Sequence, residues 1–161
     1  MQPPSMIAAF ESKQIDGFVM APPWTQQPVL AGTAIMIASG PDGDPANLAP
    51  FATTVVVTKP ETCQKRKSVC AAMGQTFAEA VAFMKNQPDK ALELLRGRFK
   101  TLDPRLLEAS FAITRRLTPS PPAPVRAALE NDERINVEAG LTKPEETLQA
   151  YDGLFTDEYV R

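Results

Sequence analysis

The run Ile15-Asp16-Gly17-Phe18-Val19-Met20-Ala21-Pro22-Pro23-Trp24 holds the residues of this chain best suited to grip a ligand. Phe18 to Ala21 reads as a short buried strand, and Pro-Pro-Trp places an aromatic where the next helix begins. Strand ends that open onto helix starts are where open α/β sheets hold their ligands. Trp24 would then wall a pocket with a flat apolar surface, and a tryptophan packed into the core beside Phe18 is the alternative.

The residues that are missing restrict the chemistry further. The chain contains no histidine, which removes the common Ser-His and Cys-His hydrolase arrangements, histidine-bearing zinc sites and histidine acid-base catalysis. Neither a phosphate-cradling Gly-Lys-Ser/Thr loop nor a Gly-x-Gly-x-x-Gly run is present. The expectation is a protein that is not an enzyme, with no cofactor and no metal. A net charge of -2 and a pI near 5.2 argue against nucleic acid as a partner, because counterion release needs a basic face. The basic residues Arg96, Arg98, Lys100, Arg115 and Arg116 could form an anion site, or serve helix dipoles and solvent. Glu130 to Arg134 reads as a solvated helix face.

Cys63 and Cys70 leave two readings open. On one unbroken helix their Cα atoms would stand about 10 Å apart, too far for a disulfide. A break near Arg66, within the basic cluster Lys65-Arg66-Lys67, would permit the bridge. Two half-buried thiols are the other reading, and an oxidising compartment favours the bridge.

The elements that would position these residues follow from periodicity. Ser5 can cap a helix whose apolar side is Met6, Ile7, Ala9 and Phe10. A short helix, Thr25 to Leu30, ends at Gly32, and Thr33 to Ala38 resumes a buried strand. Phe51 to Thr58, with three consecutive valines, reads as a central strand. Ser68 to Asn86 places Val69, Ala72, Met73, Phe77, Ala80, Val81 and Met84 on one core-facing helical side. Lys90 to Phe99 continues as a helix with Leu92, Leu94 and Leu95 inward. Asp103-Pro104 opens another helix through Arg116, the prolines at 121, 122 and 124 make an extended connector, and Val125 to Ala139 is helical with Gly140 as its terminator. A last helix begins at Pro144, anchored by Leu148, Tyr151 and Leu154. With 161 residues the chain can bury a core of its own, and its apolar runs fall short of the roughly 20 residues a membrane helix needs.

The order of these motifs carries a resemblance. A helix, the Ile-Asp-Gly strand leading to Pro-Pro-Trp, a returning strand, the valine-rich strand, a helix ending in Asn-Gln-Pro-Asp, then Glu-Ala-Gly-Leu and Tyr-Asp-Gly-Leu resemble the substrate-binding proteins of ABC importers of the nitrate, sulfonate, taurine and thiamine-precursor type. The resemblance runs from about Pro4 to Val160. It implies an α/β chain, part of a type II periplasmic binding protein fold, helix-rich with a small sheet. Residues 1–39 would be the end of the second lobe, 40–52 a hinge crossover and 53–161 the carboxy-terminal part of the first lobe. Family members are about twice this length, so the chain looks like the carboxy-terminal half. Such a half would pair with another copy, or arrange its helices around a small sheet.

The resemblance also implies a function. The chain would capture a small organic solute in an interlobe cleft and deliver it to the ABC permease in the membrane, working in the periplasm. Pro23, Trp24 and Thr25 match the cleft-facing segment, where helix amides can hold an anionic head group. Phe51 and Thr53 match the hinge side of the cleft. Two alternatives accompany it. An enzyme of the thiamine-pyrimidine synthase kind shares the fold but uses a histidine, and a helical interaction or remnant domain would hold no ligand.

Overall fold

A computed structural model describes residues 1–52 and 54–160, and these resolve into helices joined by extended segments. The α-helices among the described residues are α1 Pro3–Glu11, α2 Gln26–Leu30, α3 Pro60–Lys65, α4 Lys67–Asn86, α5 Pro88–Arg98, α6 Pro104–Leu117 and α7 Arg126–Glu138. The chain divides into two compact units. The first is Met1–Ile37 with Gln87–Leu117, and the second is Ala38–Asn86 with Thr118–Arg161.

The α/β expectation is overturned. Among the described residues the only strand-like pairing is an isolated bridge between Ser39 and Asp44, so there is no sheet and no type II periplasmic binding fold. Phe18 to Ala21, Thr33 to Ala38 and the described part of Phe51 to Thr58 are in neither helix nor strand, and the Thr33 and Ala34 amides donate to Pro28 O. Several of their apolar side chains face outward: Val19 is 94% exposed, Ile37 87% and Val57 83%. The physical reason is that β propensity measures how a side chain fits a pleated, half-buried surface. A β-branched run without neighbouring strands has no such surface to fit, and an isolated strand gains nothing from its own backbone.

The helices track local sequence far better. Proline stands at the first helical position of α1, α3, α5 and α6, where its missing N–H costs no hydrogen bond. The first helix starts earlier than a Ser5 cap would place it: Pro3 opens it, and Gln2 precedes it without a side-chain cap. Asp103 does cap α6, its Oδ1 accepting the Arg105 amide at 2.8 Å. Arg105 also pairs with the Asp103 carboxylate at 3.2 Å, and these contacts hold that carboxyl below the usual range. At the far end of α7, Gly140 has φ 69° and its amide donates to Val137 O, while the Leu141 amide donates to Asn136 O. That left-handed turn is the helix stop expected of a glycine there. The helix anticipated from Pro144 shortens to one 3-10 turn, Pro144–Glu146.

Each unit has a small core. In the first, α6 receives both α2 and α5, and burial gathers at Ile7 and Ala9 of α1, Pro28 of α2, Ala91 of α5 and Leu106 and Leu107 of α6. In the second, α3 lies against α4, and the buried positions include Gly74 and Val81 of α4 and Ala128 of α7. The expected core face of α4 is mostly open: Val69, Met73 and Phe77, one helical turn apart, are exposed, as is Leu94 of α5. Helical spacing identifies which residues share a face, and burial of that face needs a neighbour that the chain does not supply here.

Gly74 marks a close approach. The carboxy-terminal segment crosses α4 there, and a Cβ on Gly74 would overlap the Tyr159 carbonyl oxygen. Lys67 in the first turn of α4 pairs with Glu158 at 3.0 Å, fixing the same segment one residue away.

Candidate functional site

The residues anticipated as ligand contacts fall in both units. Pro23, Trp24 and Thr25 form the turn that enters α2 in the first unit. Phe51 belongs to the second unit, where it is 50% exposed, and Thr53 lies outside the described residues. The turn itself is closed by short backbone bonds: the Trp24 amide donates to Ala21 O at 3.2 Å, and the Gln26 and Gln27 amides donate to Pro23 O at 3.1 and 3.2 Å.

Those bonds bear on how the turn could meet an anionic head group. The Gln26 and Gln27 amides that open α2 are engaged with Pro23, so they are not turned toward a head group. Helix α2 is also only five residues long, too short for the aligned dipoles that make a helix terminus attract anions. Thr25 donates its hydroxyl to the Gln26 side-chain oxygen at 3.0 Å, and Gln26 is buried. Trp24 is half-buried at this turn, leaving part of the indole in contact with solvent. Phe18 instead meets Phe10 of α1, edge to face, with ring centroids 5.4 Å apart. That aromatic pair attaches the extended segment before the turn to α1.

The densest polar construction is elsewhere, on α7. Four consecutive residues there grip two remote stretches of backbone. Asn131 donates to Pro50 O at 2.9 Å and Asn47 O at 3.3 Å, and Arg134 donates to Asn47 O at 2.6 Å. The Asp132 carboxylate accepts the Ala52 amide at 3.2 and 3.4 Å. Glu133 faces the other stretch, accepting the Leu148 amide at 2.8 Å and the Tyr151 hydroxyl at 2.6 Å.

The environments of these carboxylates differ. Partial burial pushes the Asp132 carboxyl above the ordinary value, only partly offset by the Ala52 N–H. The Tyr151 hydroxyl and the Leu148 amide hold Glu133 below it. Tyr151 moves in step, pushed up to about 12 because its protonated hydroxyl donates to Glu133, with desolvation and the Glu133 charge adding to the cost of a phenolate there.

Beside these contacts an open groove of about 760 Å³ runs along α7, with Tyr151 in its lining. The Arg126 guanidinium lies 5.8 Å from the Tyr151 ring centroid and pairs with Asp152 at 2.6 Å, with Glu130 at 3.8 Å. Arg134 pairs with Glu138. Both cations of the groove are therefore matched by carboxylates. Its side chains cross-link protein segments, and the carboxylates are committed as hydrogen-bond acceptors.

The expectation of a solvated face from Glu130 to Arg134 holds for the exposed Glu130 and Arg134 and fails between them. Asn131, Asp132 and Glu133 are half-buried and bind backbone. The partners of Asn131 and Asp132 lie 80 to 84 residues away in the chain. A polar helix face looks the same in sequence whether it meets water or another backbone, so no local signal could have separated the two. In the first unit, the basic cluster at the end of α5 borders a smaller groove of about 300 Å³ that includes Arg96, Lys100 and Leu107. There Arg96 is ion-paired with Glu108 of α6.

The cysteine question is resolved in favour of the bridge. Cys63 and Cys70 form a disulfide with Cα atoms 5.6 Å apart, and the break that permits it is at Arg66, between α3 and α4. Among the described residues no three His, Cys, Asp or Glu side chains converge to hold a metal ion, and no helix is long and apolar enough to cross a membrane. No family model, no curated protein and no solved structure matches this chain.

Proposed function

We propose that this chain is part of the solute-capturing component of an ABC importer, taking up a small organic solute for delivery to a membrane permease. The observation that carries the reading is the bare apolar surface of the extended segments. Val19, Ile35, Ile37, Val55, Val56 and Val57 are all exposed, and they belong to the segments on which the resemblance to importer binding proteins rests. Burying such side chains is worth roughly 1.5–3 kcal/mol each. Segments of this kind favour contact with further polypeptide over water, as in a binding component assembled from more than these elements. The Cys63–Cys70 disulfide supports an oxidising location such as the periplasm, because reducing compartments keep thiols free. Trp24, the single tryptophan, supplies a partly accessible aromatic surface suited to an organic solute.

Thermal-shift measurements on the whole chain test this reading, using an alkyl sulfonate, nitrate, a pyrimidine and an aromatic acid as probes. The expected result is a saturable rise in melting temperature with one probe class, lost in Trp24→Ala and retained in part by Trp24→Phe. No shift with any probe, or a shift indifferent to Trp24, refutes it.

A second reading is a helical interaction domain without ligand. The exposed stripe Val69, Met73 and Phe77 on α4 favours it. It predicts no probe response, together with self-association or partner binding weakened by Met73→Glu.

A further inference from the structure

The Cys63–Cys70 bridge joins two helices that the local sequence has no reason to separate. Between Glu61 and Met73 there is neither glycine nor proline, and the residues around the break, Gln64, Lys65, Arg66 and Lys67, are all good helix formers. Yet Arg66 leaves helical geometry, with φ -133° and ψ 52°. The bridge accounts for this. Seven residues of continuous helix would hold the two Cα atoms about 10 Å apart, whereas the disulfide holds them at 5.6 Å. The helix yields because the covalent bond cannot.

We infer that the cysteine pair is an oxidation-set helix break: with free thiols, residues 60–86 form one continuous helix, and closing the disulfide folds α3 back against α4. The chemistry is thiol–disulfide exchange with a disulfide-class oxidant. One cysteine thiolate attacks a sulfur of the oxidant disulfide and expels its other sulfur as a thiolate. The second cysteine thiolate then displaces the remaining oxidant sulfur. In sum the protein dithiol becomes a disulfide and the oxidant disulfide becomes a dithiol, so electrons and protons balance. The flanking Lys65, Arg66 and Lys67 favour the thiolate forms that react.

The mechanical consequence is local. Cys63 moves by about 5 Å relative to Cys70 on oxidation, and it carries with it Pro60 and the exposed valine segment leading into α3. The step goes beyond the solute-capture reading and does not depend on it. A chain made reduced and oxidised later would change the direction of that segment on reaching an oxidising compartment.

Amide hydrogen exchange on the full-length chain tests the inference. In α4 as it stands, Lys67 and Ser68 come first and have no acceptor four residues back within that helix, while Val69 and Cys70 both donate to Arg66 O. In a continuous helix Lys67 and Ser68 would donate to Cys63 O and Gln64 O. Reduction with a phosphine should therefore slow exchange at Lys67 and Ser68 by roughly fivefold or more, the effect of a helical hydrogen bond. Cys63→Ser with Cys70→Ser should exchange like the reduced chain, and adding Arg66→Gly, which keeps the amide that donates to Thr62 O and weakens a continuous helix, should move the rates back toward the oxidised ones. Exchange on reduction that is unchanged or faster overturns the inference. So does a serine pair that exchanges like the oxidised chain, because the break would then belong to the sequence.

Discussion

Replacing Gly74 by alanine tests whether the carboxy-terminal segment rests on α4. Two effects of opposite sign compete. Alanine in a helix interior is favoured over glycine by about 0.5–1 kcal/mol, so an open site would be stabilised. At Gly74 the added Cβ would overlap the Tyr159 carbonyl oxygen and stand 2.5 Å from its carbonyl carbon and 2.7 Å from its Cβ. The obstacle is mainly backbone, which cannot rotate away as the tip of a long side chain would. Overpacking of this kind costs roughly 1–3 kcal/mol, which exceeds the helix gain. The expected net effect is a loss of about 0.5–2 kcal/mol, a fall in melting temperature of a few degrees for a chain of this length. Urea denaturation followed by circular dichroism measures it, with limited proteolysis reporting release of residues 155–160. Gly97 near the end of α5 supplies the control, because a Cβ added there would meet nothing within 4 Å. Gly97→Ala should be stabilising by up to about 1 kcal/mol. If Gly74→Ala also stabilises the chain and leaves the tail protected from protease, the close approach of Tyr159 to α4 is wrong.

Further outcomes follow from the α7 contacts and the disulfide. Glu133→Gln should return the Tyr151 titration from about 12 toward the ordinary value of 10.0, read by near-ultraviolet absorbance, and an unchanged curve would show that the hydroxyl does not meet Glu133. Because the folded value of Glu133 is lowered, its contribution is present above the unfolded value of 4.5 and lost as pH falls through the lower folded one. Proteolytic release of residues 147–152 should accordingly rise under strong acid and not near pH 5. Tyr151 works in the other direction: its contribution is complete below 10.0 and disappears as pH rises through about 12. Asp132, raised by desolvation, takes up its proton earlier in the folded chain and so adds stability as pH falls from its folded value toward 3.8; Asp132→Asn removes that term and should steepen the acid limb of the stability profile just above 3.8. Opening the Cys63–Cys70 loop, seven residues in sequence separation, should cost at most about 2.5 kcal/mol by chain entropy, reduced by any helical hydrogen bonds regained at the junction.

How far the molecule was legible depends on where each interaction finds its partner. The helices were legible because their signals are local: proline at first positions, Asp103 at a cap, Gly140 at a stop, and apolar residues repeating each turn. Their ends agree with the periodicity to within a residue or two for α4, α6 and α7. The disulfide was legible as one of two alternatives, since the spacing of Cys63 and Cys70 stated the condition for it, a break at Arg66. Residues 18–21, 33–38 and 51–58 were read as strands from composition, and that reading failed because a strand is completed by its neighbours.

What the sequence determined by itself is the set of helical segments and the chemistry denied to a chain without histidine. Both depend on residue identity and on hydrogen bonds spanning four positions. Tertiary structure alone decided that Asn131, Asp132 and Arg134 would hold the backbone of residues 47–52 while Glu133 holds Leu148, that Tyr159 would cross α4 at a glycine, and that the valine run would stay unpaired. Each of these depends on which distant group comes within bonding distance, and side-chain type along one segment is the same whether that group arrives or water takes its place.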